Sequence, residues 1–527
     1  MPNKIIICFD GTCNDPKDAK QKKNLKMELN DGSVSNIFKL HLLLGGGVTK
    51  GEQHIPGQQS FYYSGVGTYG NKLLQWFNAG LALPSMDVAK IINAAASDLA
   101  KHYQPQDEVF IFGFSRGAAI ARRFAAAVNQ NVQKYKPNTP PIRIRFMGVF
   151  DTVASIGFPN LDDDEKPISD VKFENCTVAD TVDSALHIVS LDEKRTAFMP
   201  TLMAYDKQRV TETWFAGAHS DIGGGYRYDG LSDITLNYLL DEFTRRGLGL
   251  DIRAPLKIDF DTDACKKLGL AYDDIAMHPN PLGKTHQQDR AALLDWTLTH
   301  RDLRVHIETP DPENPAPLPQ VHYTVVERIH GNSDYRPVSL SKRTLEGHTD
   351  NQIPHEIWRP DGGTLQQVNG LAEHLKIGPP TPQKLEPGES RLITIYANTK
   401  MNRSYVYANS GEEYSIDIDM AQTWFDSGIA CSPEGWDRQS QDFPWYQKIP
   451  IRCMEDERRC PEANWFELVG TIGKKPQAPF RALTYMPNQA NLCISNTAGE
   501  LFFFANDLED RYSNNLGYIQ ARVTRTL

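Results

Sequence analysis

The chain has no run of roughly 18 or more apolar residues, the length a helix needs to cross a bilayer. The apolar stretch after Met1, Ile5 to Phe9, is also too short for a secretory leader. The sequence therefore predicts a protein that is made in the cytoplasm of its producer and spans no membrane. Cysteine is sparse: eight residues, at 8, 13, 176, 265, 431, 453, 460 and 493, lack both zinc-site spacing and the density of a disulfide scaffold. Cys453 and Cys460 alone are close enough to close a small loop in an oxidising compartment. Basic residues are outnumbered, with 56 Lys and Arg against 66 Asp and Glu and a formal net charge of -10. That balance argues against nucleic acid as a partner, since phosphate neutralisation needs clustered cations. Neither repeats nor low-complexity tracts stand out.

What is present is an ordinary globular composition spread over 527 residues, too long for one core. In the first third, strand and helix patterns alternate. Ile5 to Phe9 is a continuous β-branched and apolar run, and Ser35-Asn36 precede helical spacing at Ile37, Leu40, Leu43 and Leu44. Residues 85 to 103 repeat that spacing, and Val109 to Phe112 and Ile144 to Phe150 read as further buried strands. Such a rhythm implies a parallel sheet covered by helices on both faces. Beyond the proline-rich stretches near 310 and 380 come short alternating runs at 391–396, 414–419, 465–469 and 501–504, which imply an all-β sandwich. The expected organisation is an α/β catalytic domain over 1–345, a connecting segment over 346–384 and a β-sandwich over 385–527.

Gly113-Phe114-Ser115-Arg116-Gly117 lies between the strand Val109 to Phe112 and an alanine-rich helical stretch, Ala118 to Val128. A serine on such a strand-to-helix turn is the nucleophile elbow of an α/β hydrolase, and the flanking glycines let the turn close. An elbow serine needs a histidine base and an orienting carboxylate, in the chain order serine, acid, histidine. Asp151 follows the strand Ile144 to Phe150, at the carboxyl edge where a site forms. His219 follows the apolar Trp214-Phe215 and opens a glycine-rich turn, Ser220 to Tyr226. His187 and His322 are rival bases among 14 histidines, and Asp192 and Asp221 are rival acids. For the oxyanion hole the expected donors are the backbone N–H of Arg116 and one from the Asp10-Gly11-Thr12 turn, at Gly11 or Thr12. The same turn is also what a tight bend needing glycine would contain. No cofactor is required for this chemistry.

Five motifs in order, Phe9-Asp10-Gly11-Thr12, Tyr63 to Thr68, Gly113 to Ala118, Val149 to Val153 and His219 to Gly225, resemble the bacterial α/β hydrolases that include type VI secretion phospholipase effectors. His322 to Arg328 and Asp334 to Pro337 resemble the family's last block, and Asp192-Glu193-Lys194-Arg195 resembles a further motif with a structural role. Cys13 departs from the pattern, where the family usually carries tryptophan. The resemblance implies hydrolysis of phospholipid acyl esters by Ser115, Asp151 and His219. It also implies a secretion-spike (VgrG-like) carrier, a neutralising immunity protein, and delivery to the target-cell periplasm. The segment 71–84, with Leu73, Leu74, Trp76 and Phe77, reads either as an apolar lid that meets lipid or as plain core.

In the C-terminal part, Phe503 to Asp507 and Tyr512 to Gly517 resemble the calcium and galactose site of a small bacterial β-sandwich lectin. That resemblance implies Ca²⁺ on Asp507, Asn514 and Asn515 and a galactoside ligand; a turn held by Asn and Asp side chains explains the same residues without metal. Two alternatives to the phospholipase reading stay open. One is an esterase for non-phospholipid esters, and the other a carbohydrate-binding or interaction protein on a hydrolase scaffold.

Overall fold

The computed structural model describes residues 2–11, 31–65, 85–154, 176–286, 299–308, 317–343, 349–350, 353–358, 366–377, 382–426, 429–439, 441, 452, 454–473, 480–481, 491–494, 497–512 and 515–526. The segment 71–84, Thr12, Cys13, Cys453 and Asn514 lie outside them. Two compact units divide the chain, one containing Asn30–Ile377 and the other Gly378–Leu527.

In the first unit, β1 (Lys4–Phe9), β2 (Gln58–Tyr63), β3 (Glu108–Phe114), β4 (Ile144–Phe150), β5 (Ala185–Ser190), β6 (Val210–Phe215), β7 (Gln320–His322), β8 (Pro354–Trp358) and β9 (Gln366–Asn369) form one sheet. Its spatial order is β9-β8-β7-β6-β5-β4-β3-β1-β2. Every neighbouring pair is parallel except β8 with β9. The continuous apolar runs follow from that arrangement, because a parallel sheet is covered on both faces. On one face, alternate residues of β1 and β3 (Ile5, Ile7, Val109, Ile111) pack against α2 (Ser85–His102) and α3 (Arg116–Ala126). On the other, Ile6, Cys8, Phe110 and Phe112 pack against α1 (Asn36–Leu43) and residues of α5 (Gly230–Arg245). As expected, Ser35 caps α1, accepting from the Phe38 N–H at 3.2 Å.

The order places β1 between β2 and β3, so the connection from β1 to β2 runs to one side and that from β3 to β4 to the other. The carboxyl ends of β1 and β3 therefore flank a topological switch point, where open α/β sheets form their sites. Asp10-Gly11 and Ser115 lie there. One boundary differs from the sequence reading: β8 and β9 fall inside 346–384, expected to be a connector, and extend the large sheet instead. Short strands such as Pro354-His-Glu-Ile-Trp carry too little periodicity to separate from loop.

In the second unit, β10 (Ser390–Tyr396), β11 (Asn402–Ala408), β12 (Glu413–Ile418), β13 (Trp424–Asp426), β14 (Ile429–Cys431), β15 (Leu468–Ile472), β16 (Phe480–Arg481), β17 (Asn491–Ile494), β18 (Gly499–Ala505), β19 (Asn515–Leu516) and β20 (Tyr518–Arg525) build antiparallel sheets. The orders are β10-β20-β12-β17, β11-β18-β15-β16 and β14-β13-β19. Ile395, Ile416 and Ala521 from the first sheet share a core with Val406, Leu468 and Phe503 from the second, which makes a sandwich. The strand expected at 465–469 begins later, at Leu468, because Trp465 instead bridges and stacks on Trp436 at 5.6 Å.

Candidate active site

Ser115 sits at the junction of β3 and α3 with φ 57° and ψ -123°, a backbone state that L-residues avoid. The strain is held on both sides. The Ser115 N–H donates to the Phe150 carbonyl at 3.0 Å, and a Cβ on Gly117 would lie 2.3 Å from the carbonyl oxygens of Phe9 and Asp10. Glycine at that position lets α3 approach the end of β1, which is why the elbow needs it.

The structure brings Ser115, His219 and Asp151 together. His219 Nε2 lies 2.8 Å from Ser115 Oγ, and His219 Nδ1 lies 2.6 Å from Asp151 Oδ2. An ionised carboxylate only accepts, so Nδ1 carries the proton and leaves Nε2 to accept from the serine hydroxyl. All three are buried: Ser115 is 2 % exposed, His219 1 % and Asp151 0 %. His219 opens α4 (His219–Gly223), a short helix where the sequence suggested only a turn. Phe114 and Phe198 flank its ring with centroids 4.7 and 4.9 Å away.

Burial pushes the His219 pKa below its ordinary value, against the opposing pull of Asp151. The imidazole is therefore neutral near pH 7 and able to take a proton. Burial alone would raise Asp151, yet its carboxyl is held well below the usual range by the Arg301 guanidinium and the His219 hydrogen bond.

Each rival residue has another task. His187 Nδ1 lies 2.6 Å from Glu212, and its Nε2 accepts from the Thr152 N–H at 3.1 Å, bracing the chain after Asp151. His322 stacks between Phe215 and Trp358, and burial pulls its pKa down to about 3. Asp221 accepts from the Ala218 N–H at 2.8 Å and contacts His286 Nδ1 at 2.5 Å. Asp192 accepts from the Gly217 N–H at 2.7 Å and the Tyr335 hydroxyl at 2.8 Å. Burial raises the Asp192 pKa to about 6.

The 192–195 motif clasps the histidine loop. Glu193 is held by three bonds of 2.8 Å from Arg195 and accepts from the His219 N–H at 3.2 Å. Burial works against the Glu193 charge, but Arg195 wins and brings its pKa down to about 2.

Of the expected oxyanion donors, Arg116 begins α3, whose first-turn N–H groups face the site end of the helix. The Gly11 N–H is already committed to Asp10 Oδ1 at 2.6 Å. Asp10 also accepts from Ser35 and Tyr62, at 2.5 and 2.7 Å, so its carboxylate anchors the turn after β1.

In the sandwich, Asp507 and Asn515 are buried and joined by a 3.0 Å bond from Asn515 Nδ2 to Asp507 Oδ2. Asp426, across the ladder from Asn515, faces the same spot and was missed by the sequence reading. Burial and then repulsion from Asp507 raise the Asp426 pKa, burial raises that of Asp507, and Asn515 Oδ1 is buried without a hydrogen-bond partner. Two oxygen anions and an orphaned amide oxygen suit a hard cation such as Ca²⁺. Among the described residues, no group of three or more His, Cys, Asp or Glu is arranged for a metal. No helix there is long and apolar enough to cross a membrane.

A strained serine after the third strand, facing an acid from the end of β4 and a histidine after β6 in a parallel-rich sheet, gives the first unit the α/β-hydrolase fold. Its sequence points to one family. Residues 3–132 and 126–242 match the model of the type VI secretion system (T6SS) phospholipase effector Tle1-like catalytic domain. The family resemblance carried by the motifs is thus shown over this part of the chain.

A curated relative, the uncharacterized protein YEL023C of Saccharomyces cerevisiae, is 26% identical over 37% of this chain and 32% of its own length. Among solved structures, an uncharacterized protein from Pseudomonas aeruginosa is 21% identical, covering 51% of this chain and 49% of that one, with TM-score 0.31. The Tle1 effector bound to the VgrG spike of the type 6 secretion system is 26% identical, covering 43% and 51%, with TM-score 0.27. A PllA-like lectin, the EclA N-terminal domain, is 17% identical over 26% of this chain and 95% of its own, with TM-score 0.17. The chain therefore spans about a third of the length of its curated relative and half of the two larger structures.

Proposed function

We propose that the first unit is a serine hydrolase that cleaves phospholipid acyl esters. The observation that carries the reading is the continuous hydrogen-bonded line from Ser115 through His219 to Asp151 at a strained elbow. Ser115 Oγ attacks the ester carbonyl while His219 Nε2 takes its proton. The oxyanion forms beside the Arg116 N–H, with the second donor from the turn after β1, at Thr12, because the Gly11 N–H is held by Asp10 Oδ1. The bond to the leaving alcohol then breaks and His219 returns the proton to it. Water, activated by the same imidazole, hydrolyses the acyl-enzyme. The match to a T6SS phospholipase effector domain supports lipid as substrate and delivery by type VI secretion; we infer from this a VgrG-like spike as carrier, a neutralising immunity partner and release into a target-cell periplasm.

The test is turnover of phosphatidylcholine and phosphatidylethanolamine vesicles against short-chain p-nitrophenyl esters, with Ser115→Ala as control. We expect fatty-acid release from vesicles and a loss of about 10⁴-fold or more in the variant. Preference for the short esters would favour the non-phospholipid esterase, and full activity of Ser115→Ala would sink the reading.

For the sandwich we infer a Ca²⁺-dependent galactoside site on Asp507, Asn514 and Asn515. Asn515 Oδ1, buried and unpartnered beside two carboxylates, favours a cation there. Titration calorimetry of the full chain with Ca²⁺ and then methyl galactoside tests it. No heat from Ca²⁺ would overturn the metal, and heat from Ca²⁺ alone would overturn the sugar.

A further inference from the structure

Arg301 is 1 % exposed and lies 150 residues from Asp151 in sequence. Its guanidinium grips that carboxylate with both arms, at 2.5 Å to Oδ1 and 2.9 Å to Oδ2. The same nitrogens donate to the carbonyls of Ser190 and Phe198. With the Ser190 N–H on Oδ1 at 3.0 Å and His219 on Oδ2, each Asp151 oxygen has two donors. A planar fork against a planar carboxylate fixes rotation as well as distance. Arg301 thus sets the plane in which Oδ2 meets His219.

Among the described residues, the charges around His219 pair off. Asp151 from the end of β4 faces the imidazole, and Glu193 from the loop after β5 accepts from the His219 backbone N–H, both as anions. Arg301 pairs with the first and Arg195 with the second, and Ser115 is the neutral group on the third side. Asp221, on α4 itself, is turned to His286. Two cations balance two carboxylates, so the neutral imidazole that the reaction requires rests in a locally neutral cage. Remove Arg301, and an unbalanced anion beside His219 favours the imidazolium and blocks the base.

We propose that Arg301 is a positioning residue of this site, acting through Asp151 to orient His219 and keep it unprotonated. The inference rests on the hydrolase reading above. It is distinct from a mere stability role because it fixes the direction of a titration.

The experiment is the pH profile of kcat/KM for Arg301→Gln and Arg301→Lys, with a p-nitrophenyl ester and Ser115→Ala run alongside. For Arg301→Gln we expect the acid limb to move up by about one pH unit. Turnover should fall on the order of 100-fold as the imidazole loses its orientation. Arg301→Lys keeps the charge in nearly the same volume, so its limb should stay in place while kcat falls.

A buried Asp left without its partner threatens folding, so the pair Asp151→Asn and Asp151→Asn/Arg301→Met is the second arm. In that background the change at 301 should cost less than about threefold more, because both residues act in one chain. An unmoved limb in Arg301→Gln, or an equal loss from the change at 301 with and without Asp151, overturns the inference. If Ser115→Ala retains activity, the hydrolase reading fails and the positioning role with it. Loss of activity in Ser115→Ala with a normal profile in Arg301→Gln removes the positioning role alone.

Discussion

Asp151 in the α/β unit and Asp426 in the sandwich are both carboxylates withdrawn from water, and they are driven in opposite directions. Asp151 meets a guanidinium and an imidazole and is held ionised. Asp426 meets a second carboxylate, Asp507, and is pushed up to about 7. Burial penalises the charge in both places, so what separates them is whether the fold supplies a counter-ion. In the first unit the cation is covalent and permanent. In the second the anions converge with an orphaned amide oxygen, the arrangement expected where an external cation completes the charge balance. Asp151, with a lowered pKa, contributes stability above its unfolded value near 3.9 and loses it as pH falls further. Asp426, with a raised pKa, favours the fold at low pH and loses that contribution as pH rises toward about 7.

The largest expected effect comes from breaking the compensated side. Asp151→Asn should lower kcat about 10⁴-fold, by disturbing the tautomer of His219. It should also lower stability by about 3 to 5 kcal/mol, because Arg301 is left charged and unpaired. Steady-state kinetics and urea melts on one preparation check both. A variant with normal kcat would mean that the acid serves only packing.

An intermediate effect sharpens the other side. Ca²⁺ should raise the thermal midpoint, by about 2.7 kcal/mol of stabilisation at a hundredfold excess over Kd. The gain should fade as pH drops below about 7, since binding requires Asp426 and Asp507 to be deprotonated. Asp426→Asn should weaken that gain. A pH-independent response to Ca²⁺ would place the ion elsewhere.

The smallest effect concerns Asp192, a buried carboxyl with two hydrogen-bond donors and no direct salt bridge, pushed up to about 6. Asp192→Asn keeps an acceptor for Gly217 and Tyr335 and removes a titration. Stability should change by about 1 kcal/mol or less. The stability that wild type loses between pH 4 and 6 should stay flat in the variant. Melts across that range decide it, and an unchanged slope would assign the titration to another group.

Legibility followed the same division. Ser115, Asp151 and His219 were readable because a parallel sheet sets strand ends in chain order along one edge, so a motif after each strand is already an address. Composition alone did not choose among the histidines, since His187 lies within β5 and His322 ends β7. Only their neighbours, Glu212 with the Thr152 N–H for one and a cage of Phe215 and Trp358 for the other, give them different work. Arg301 had no signal at all. It belongs to no periodic segment, and a lone arginine in sequence reads as a solvated surface charge. Asp426 was hidden in the same way, on a three-residue strand whose partner comes from the far end of the unit.

By itself the sequence determined the strand cores, the elbow and the helix that follows it, because apolar periodicity and the small residues around Ser115 act over a few positions. The tertiary structure alone decided which buried charges meet. Coulomb energy depends on a separation of a few ångströms and on the exclusion of water, and for Arg301 and Asp151 neither is written anywhere near the residues that use it.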